Sequence, residues 1–289
     1  MKQRYRDGRL VEGNSGQDKL LNALYGHALG RMLLKPLTAP AISTLAGKFL
    51  STKASKVLIS PFVRKHGIDM SLFEPVTYGS YNEFFSRKIR PEVRPIDDHP
   101  KHLISPCDSK LTVLPVTLDG RFTLKHTQYS VSSLLRNDAL AASFEGGYVL
   151  IFRLTVDDYH RYCYICDGDK EENIRIPGTL HTVNPIANDY FPIYKENTRE
   201  YSILHSAEFG DVIAMEVGAL MVGKIVNHHG SAHVLRGQEK GYFQFGGSTV
   251  VLLLKAGVVQ VDQDILDNSN RGIETVVHYG EKIGCAIEK

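Results

Sequence analysis

The feature that most limits the fold is a change of hydrophobic period near residue 100. Before it, residues 18 to about 65 carry apolar positions at helical spacing: Leu20, Leu21 and Leu24, then Leu29, Met32 and Leu33, then Leu50, Ala54, Val57 and Leu58. Pro36, Pro40 and Pro61 divide this stretch into short helices. After it the apolar runs are short, rich in β-branched residues and separated by Gly, Asp and Pro, at 148–154, 212–217, 220–226, 249–254 and 258–261. Helical periodicity is nearly absent beyond Leu135, which disfavours a doubly wound sheet with crossover helices. The expected fold class is α+β: a β-rich body, sandwich-like or barrel-like, over residues 66–289, behind an N-terminal helical subdomain over 1–65.

With 289 residues, 43% of them hydrophobic, the chain can bury a sizeable core. A net charge of +2 lacks the concentrated basic stripe of a nucleic-acid binder, and no nucleic-acid partner is expected. The polar start has no apolar h-region, so the expected compartment is the cytoplasm. Residues 28–50 are broken by Arg31, Lys35, Pro36, Pro40 and Lys48, so no bilayer-spanning helix is expected. The interleaved Lys19, Arg31, Lys35, Lys48, Lys53 and Lys56 suit either a helical subdomain packed on the core or a basic amphipathic surface lying on an anionic membrane. Four scattered cysteines fit a reducing compartment. Cys163 and Cys166 have Cys-x-x-Cys spacing, but without a second Cys/His pair no metal site is expected.

Three runs can carry chemistry. Gly246-Gly247-Ser248-Thr249 stands where one strand should lead into the next. A glycine turn explains the run by itself. The chemical alternative is self-cleavage, in which Ser248 Oγ attacks the Gly247 carbonyl carbon, an N→O acyl shift gives an ester, and β-elimination breaks the chain. The dehydroalanine left at the new N-terminus then hydrolyses to a pyruvoyl group with loss of ammonia. Such a serine needs a base in a dry, oriented site. Asp158-Tyr159-His160-Arg161 follows the run 148–154, and if strand geometry continues, Asp158 and His160 share a face, which suits His160 to acid–base work. Ser105-Pro106-Cys107-Asp108-Ser109 reads as a turn whose catalytic use requires Asp108 to face the histidine.

Together these runs resemble the phosphatidylserine decarboxylase family from about Tyr81 onward. Tyr81-Asn82-Glu83-Phe84-Phe85-Ser86-Arg87-Lys88 with Arg94-Pro95-Ile96-Asp97 is similar to its leading signature, and Ser105-Pro106-Cys107-Asp108 to its Ser-Pro-Ala-Asp-Gly turn. Asp158-Tyr159-His160-Arg161 is similar to its Asp-Tyr-His-Arg motif, Val217-Gly218-Ala219 with Val222-Gly223-Lys224-Ile225 to its Val-Gly-Ala and Val-Gly-Ser-Ile segment, and Phe245-Gly246-Gly247-Ser248-Thr249 to its cleavage site.

The resemblance implies cleavage between Gly247 and Ser248 into chains 1–247 and 248–289, which stay together as a heterodimer, with further dimerisation left open. It implies a covalent pyruvoyl cofactor derived from Ser248, with Asp108, Asp158 and a histidine assisting processing and His160 acting in decarboxylation. The carbonyl would be the electron sink as the substrate loses its carboxylate. The implied substrate is phosphatidylserine and the product phosphatidylethanolamine, with residues 18–65 facing the membrane and the enzyme peripheral on its cytoplasmic side.

Two positions depart from the family pattern. Cys163 stands where the family often has a second histidine that activates the serine, and Ser109 replaces a glycine. The base for self-cleavage is therefore open among His160, a Cys163 thiolate, and another histidine such as His181 or His205. Rival functions are a pyruvoyl enzyme acting on a soluble amino acid, a hydrolase using Ser248, His160 and Asp108 as a triad, and a non-enzymatic binding module. The hydrolase lacks a Gly-x-Ser-x-Gly elbow around Ser248.

Overall fold

The computed structural model describes residues 2–12, 24–27, 30, 32, 34, 38, 40–124, 126–219, 224–244 and 248–288. Leu20, Leu21, Leu29, Leu33, Val222, Gly223, Phe245, Gly246 and Gly247 lie outside the described residues.

Eleven strands make one large sheet: β1 (Lys2–Tyr5), β2 (Leu10–Glu12), β3 (Ser109–Pro115), β4 (Tyr148–Leu154), β5 (Gly168–Lys170), β6 (Ile174–Ile176), β7 (Arg199–Ser206), β8 (Gly210–Val217), β9 (Ala232–Val234), β10 (Ser248–Leu254) and β11 (Glu274–Val277). Their order is β9-β5-β7-β8-β10-β4-β3-β11-β1-β2, with β6 paired to β7. Every pairing is antiparallel except β1 on β11. The β-rich body is as expected, but the sheet is open at β9 and β2 and does not close into a barrel.

The central strands read as unbroken apolar runs because both sheet faces are covered. On one face Leu150, Phe152, Leu154, Val250, Leu252 and Leu254 meet two three-stranded sheets. These are Arg161–Cys163 with Ile225–Asn227 and Glu239–Phe243, and His102–Ile104 with Val259–Val261 and Lys282–Ala286. On the other face Val149, Ile151, Val251 and Leu253 meet short helices through Leu134, Leu135, Ile193 and Tyr194.

In the helical region, α1 (Pro40–Leu50), a short 3-10 turn (Lys53–Leu58) and α2 (Ile59–His66) precede α3 (Tyr81–Phe85). α3 starts where Ser80 accepts from the Glu83 amide and Glu83 accepts from the Gly79 amide. This reciprocal cap fixes the turn that carries Phe84 and Phe85 inward. Leu50, Tyr81, Phe84 and Phe85 form a buried cluster beneath α1 and α2.

Two elements depart from the sequence expectation. The polar residues at the start, grouped there with the helical region, form the hairpin β1–β2, and Arg6 beyond β1 pairs with Asp262, Asp264 and Glu281. The helix Gln263–Asn270 lies well past Leu135, and at eight residues it is too short for a helical period to stand out.

Candidate active site

The site lies at one end of the large sheet. A single rung crosses five strands as Val217, Thr249, Arg153, Lys110 and Val276. One step nearer the sheet end, Ser248 pairs with Leu154 and opens β10. From this end emerge the loop 155–160 after β4, the turn 105–108 before β3, and the segment 278–281 after β11. Phe243 is tied to the loop as well, its amide donating to the His160 carbonyl at 3.0 Å. Residues about 140 positions apart in sequence thus converge because antiparallel register aligns their strand ends.

The strand geometry expected to run through Asp158 and His160 stops at Leu154. A turn replaces it, with the Asp158 amide donating to the Thr155 carbonyl at 2.9 Å. The Asp158 carboxylate closes the turn, accepting from the Thr155 amide at 2.6 Å, the Thr155 hydroxyl at 2.9 Å and the Lys110 ammonium at 2.6 Å. Burial pushes the Asp158 pKa up, against the Lys110 charge. Its carboxylate therefore shapes the loop, and its main chain orients the histidine.

His160 is fully buried. Its Nδ1 lies 2.9 Å from the Asp158 carbonyl oxygen. A carbonyl only accepts, so Nδ1 carries the proton and Nε2 the lone pair. Nε2 is buried and without a hydrogen-bond partner among the described residues. Burial, then the Arg87 guanidinium, lowers the His160 pKa to about 3, so the ring is neutral near neutral pH. Phe85 of α3 packs against it at 4.1 Å between ring centroids. The result is a neutral base nitrogen in a dry, aromatic wall.

Asp108 does not serve His160. Arg94 holds it with a fork, Nε to Oδ1 at 2.9 Å and Nη2 to Oδ2 at 2.7 Å, and the Tyr279 amide donates to Oδ1 at 2.8 Å. His278 Nδ1 stands 3.8 Å away. Burial raises the Asp108 pKa, but the nearby His278 ring, the Arg94 fork and the Arg94 charge outweigh it and hold the carboxyl at about 2.

Besides His160, the groups considered as the serine base differ in burial and position. Cys163 is buried, and desolvation raises its pKa to about 12 against a hydrogen bond with Tyr279, so it is not the thiolate considered from sequence. His205 is half exposed on β7, opposite Asp211 near the far end of that strand, with its pKa raised by hydrogen bonds to Asp211 and Glu171. It takes no part at this sheet end. His181 is buried, with Nδ1 unpartnered among the described residues, and burial lowers its pKa.

Sequence reasoning missed Arg94, Lys110, Arg87 and Tyr279. Arg94 and Arg87 lay inside signatures whose charged members had no visible partner, and Lys110 in an apolar strand was the one available signal of a buried carboxylate nearby. Among the described residues no group of three or more His, Cys, Asp and Glu is placed to hold a metal.

The sequence profile of the phosphatidylserine decarboxylase family matches residues 81–285. The chain belongs to that family. Phosphatidylserine decarboxylase proenzyme 2 of Clostridium acetobutylicum is 48% identical over 266 residues, covering 91% of each chain. The phosphatidylserine decarboxylase proenzyme of Clostridium botulinum strain 657 is 40% identical over 273 residues, covering 92% of each. That of Ruminiclostridium cellulolyticum is 39% identical over 277 residues, covering 94% of this chain and 92% of the relative. Asp108, Asp158, His160 and Ser248 all fall inside the matched span.

Proposed function

We propose that the chain cleaves itself between Gly247 and Ser248 and, so processed, decarboxylates phosphatidylserine to phosphatidylethanolamine. The observation that carries this reading is His160: a buried, neutral imidazole with one free lone pair, at the sheet end where Ser248 opens its strand. A pyruvoyl group formed at position 248 would stand at the sheet end from which the His160 loop emerges, and a reactive carbonyl needs acid–base help and shelter from water. When present, it supplies the electron sink for loss of the carboxylate.

The Asp158 carbonyl holds the His160 proton on Nδ1, which leaves Nε2 to take up a proton and return it to the carbon that lost carboxylate. Burial, then the Arg87 guanidinium, keeps the ring neutral before the step. Phe85 and the buried cluster behind it exclude water from that side. Lys110 keeps the Asp158 carboxylate bound in the turn.

Retention of the small chain 248–289 follows from strand pairing. β10 is bonded on both sides, by β8 and β4, and β11 is paired with β3. The hydrolase alternative is disfavoured because His160 Nδ1 is bound to a carbonyl while Asp108 is bound to Arg94.

A division near residue 65 gives the helical region its own task. Ile42, Leu45 and Phe49 of α1, with Val57 and Leu58, are exposed, and Lys48, Lys53, Lys56, Arg64 and Lys65 are exposed among them. Such a surface suits peripheral attachment to an anionic bilayer. No described helix is long and apolar enough to cross a membrane. The test is release of carbon dioxide from purified protein given phosphatidylserine vesicles or free serine. Release from vesicles alone is expected, and equal release from free serine would favour the soluble-substrate reading.

A further inference from the structure

Among the described residues two buried imidazoles, not one, keep an unpartnered ring nitrogen: Nε2 of His160 and Nδ1 of His181. His160 approaches from the β4 side, through the loop after Leu154. The main chain of His181 is tied to the end of β8 by the buried Asn197 amide. The His181 amide donates to Asn197 Oδ1 at 2.9 Å. Asn197 Nδ2 donates to the His181 carbonyl and to the Gly218 carbonyl, each at 2.8 Å. Gly218 follows Val217, whose partner on β10 is Thr249, so Gly218 comes at the strand end next to Ser248.

The His181 ring stacks on Phe191, with centroids 4.6 Å apart at 16°, and lies 6.0 Å from the Tyr25 ring. Its nearest ionisable partner is the Glu196 carboxylate, 3.9 Å from Nε2. The Tyr25 hydroxyl, the other titratable group against this ring, accepts from the Thr182 amide at 3.2 Å. Stacking alone would be served as well by phenylalanine, which avoids the cost of about 1–3 kcal/mol for a buried, unpartnered nitrogen. The nitrogen therefore calls for a use.

We propose that His181 is the base that takes the Ser248 hydroxyl proton in self-processing, leaving His160 for decarboxylation. This rests on the self-cleavage reading above. As the proton moves from Ser248 Oγ to His181, Oγ bonds to the Gly247 carbonyl carbon and the Gly247–Ser248 amide bond breaks. The proton then passes to the departing amine. The ester formed at Oγ is lost by β-elimination as the Gly247 carboxylate, and water replaces the nitrogen as ammonia. No oxidant or reductant is needed. The assignment also accounts for Cys163, whose thiol is too weak an acid to serve as thiolate.

The test follows cleavage itself rather than decarboxylation. Full-length wild type, Ser248→Ala and His181→Phe are made by cell-free translation and sampled over time by intact mass. His181→Phe keeps the ring on Phe191 but removes both nitrogens, and cleavage should slow by about 100-fold or more. Added imidazole should restore part of the rate. Wild-type cleavage should fall as the pH drops through the lowered His181 pKa, and that fall should be absent from the slow cleavage of His181→Phe. Cleavage of His181→Phe at the wild-type rate would overturn the proposal. So would slow cleavage that imidazole does not restore and that keeps the wild-type pH profile, since that marks a structural role. An uncleaved wild type would instead refute the self-cleavage reading on which the proposal rests.

Discussion

The buried neutral state of His160 has a measurable cost when the solution is acidified. Its pKa is about 3 in the folded chain, against 6.5 for an ordinary histidine. Below 6.5 the unfolded chain binds a proton that the folded chain refuses, so stability falls with pH throughout that window. Between about pH 7 and about pH 5, this one group should remove roughly 2 kcal/mol of stability. The assay is urea unfolding of Ser248→Ala, which remains a single chain, beside Ser248→Ala/His160→Phe. The double variant also loses the bond to the Asp158 carbonyl, but that loss is present at both pH values and cancels. The same cancellation removes the contributions of His181 and of the carboxylates. The single variant should therefore lose about 2 kcal/mol more than the double variant on acidification. Equal losses would mean that His160 is not held neutral, and the argument for a free Nε2 lone pair would fail.

Three further outcomes follow from the geometry. Arg94→Ala leaves the buried Asp108 carboxylate without its fork and should cost about 3–5 kcal/mol, read as a lowered urea midpoint at neutral pH. Maleimide should label Cys285 in the native protein, while Cys107, Cys163 and Cys166, all buried, should react only after denaturation, as peptide mapping would show. Leu45→Glu/Phe49→Glu places charges on the exposed face of α1 and should weaken co-sedimentation with anionic vesicles severalfold, with thermal stability unchanged because both side chains are exposed.

The parts of this molecule legible in its sequence were those written in local period and composition. The runs around β4, β8 and β10 stood out because burial on both faces makes a strand apolar along its length. Asp108, Asp158, His160 and Ser248 stood out because ordered motifs carried them. What the sequence did not reveal was pairing. Asp108 was considered as a partner for His160, yet its charge is met by Arg94, which lies only 14 positions earlier, while Asp158 acts on His160 through its carbonyl. Main-chain contacts of that kind leave no signature in residue identity. The hairpin β1–β2 escaped for a related reason: its strands are short and have no buried residue, and what secures it is a parallel pairing with β11, more than 260 residues away. The Asn197 amide that ties His181 to Gly218 is likewise a tertiary bond between two loops. From sequence, His181 and His205 were equal alternatives, and burial and position along the sheet separate them.

The central claim is that Ser248 becomes the cofactor. Intact mass of the purified wild-type protein under denaturing conditions tests it most directly. The account predicts two chains, residues 1–247 and 248–289, with the smaller one lighter by one ammonia than an unmodified serine-capped chain, and a single intact chain for Ser248→Ala. One uncleaved wild-type chain with Ser248 unmodified would contradict it.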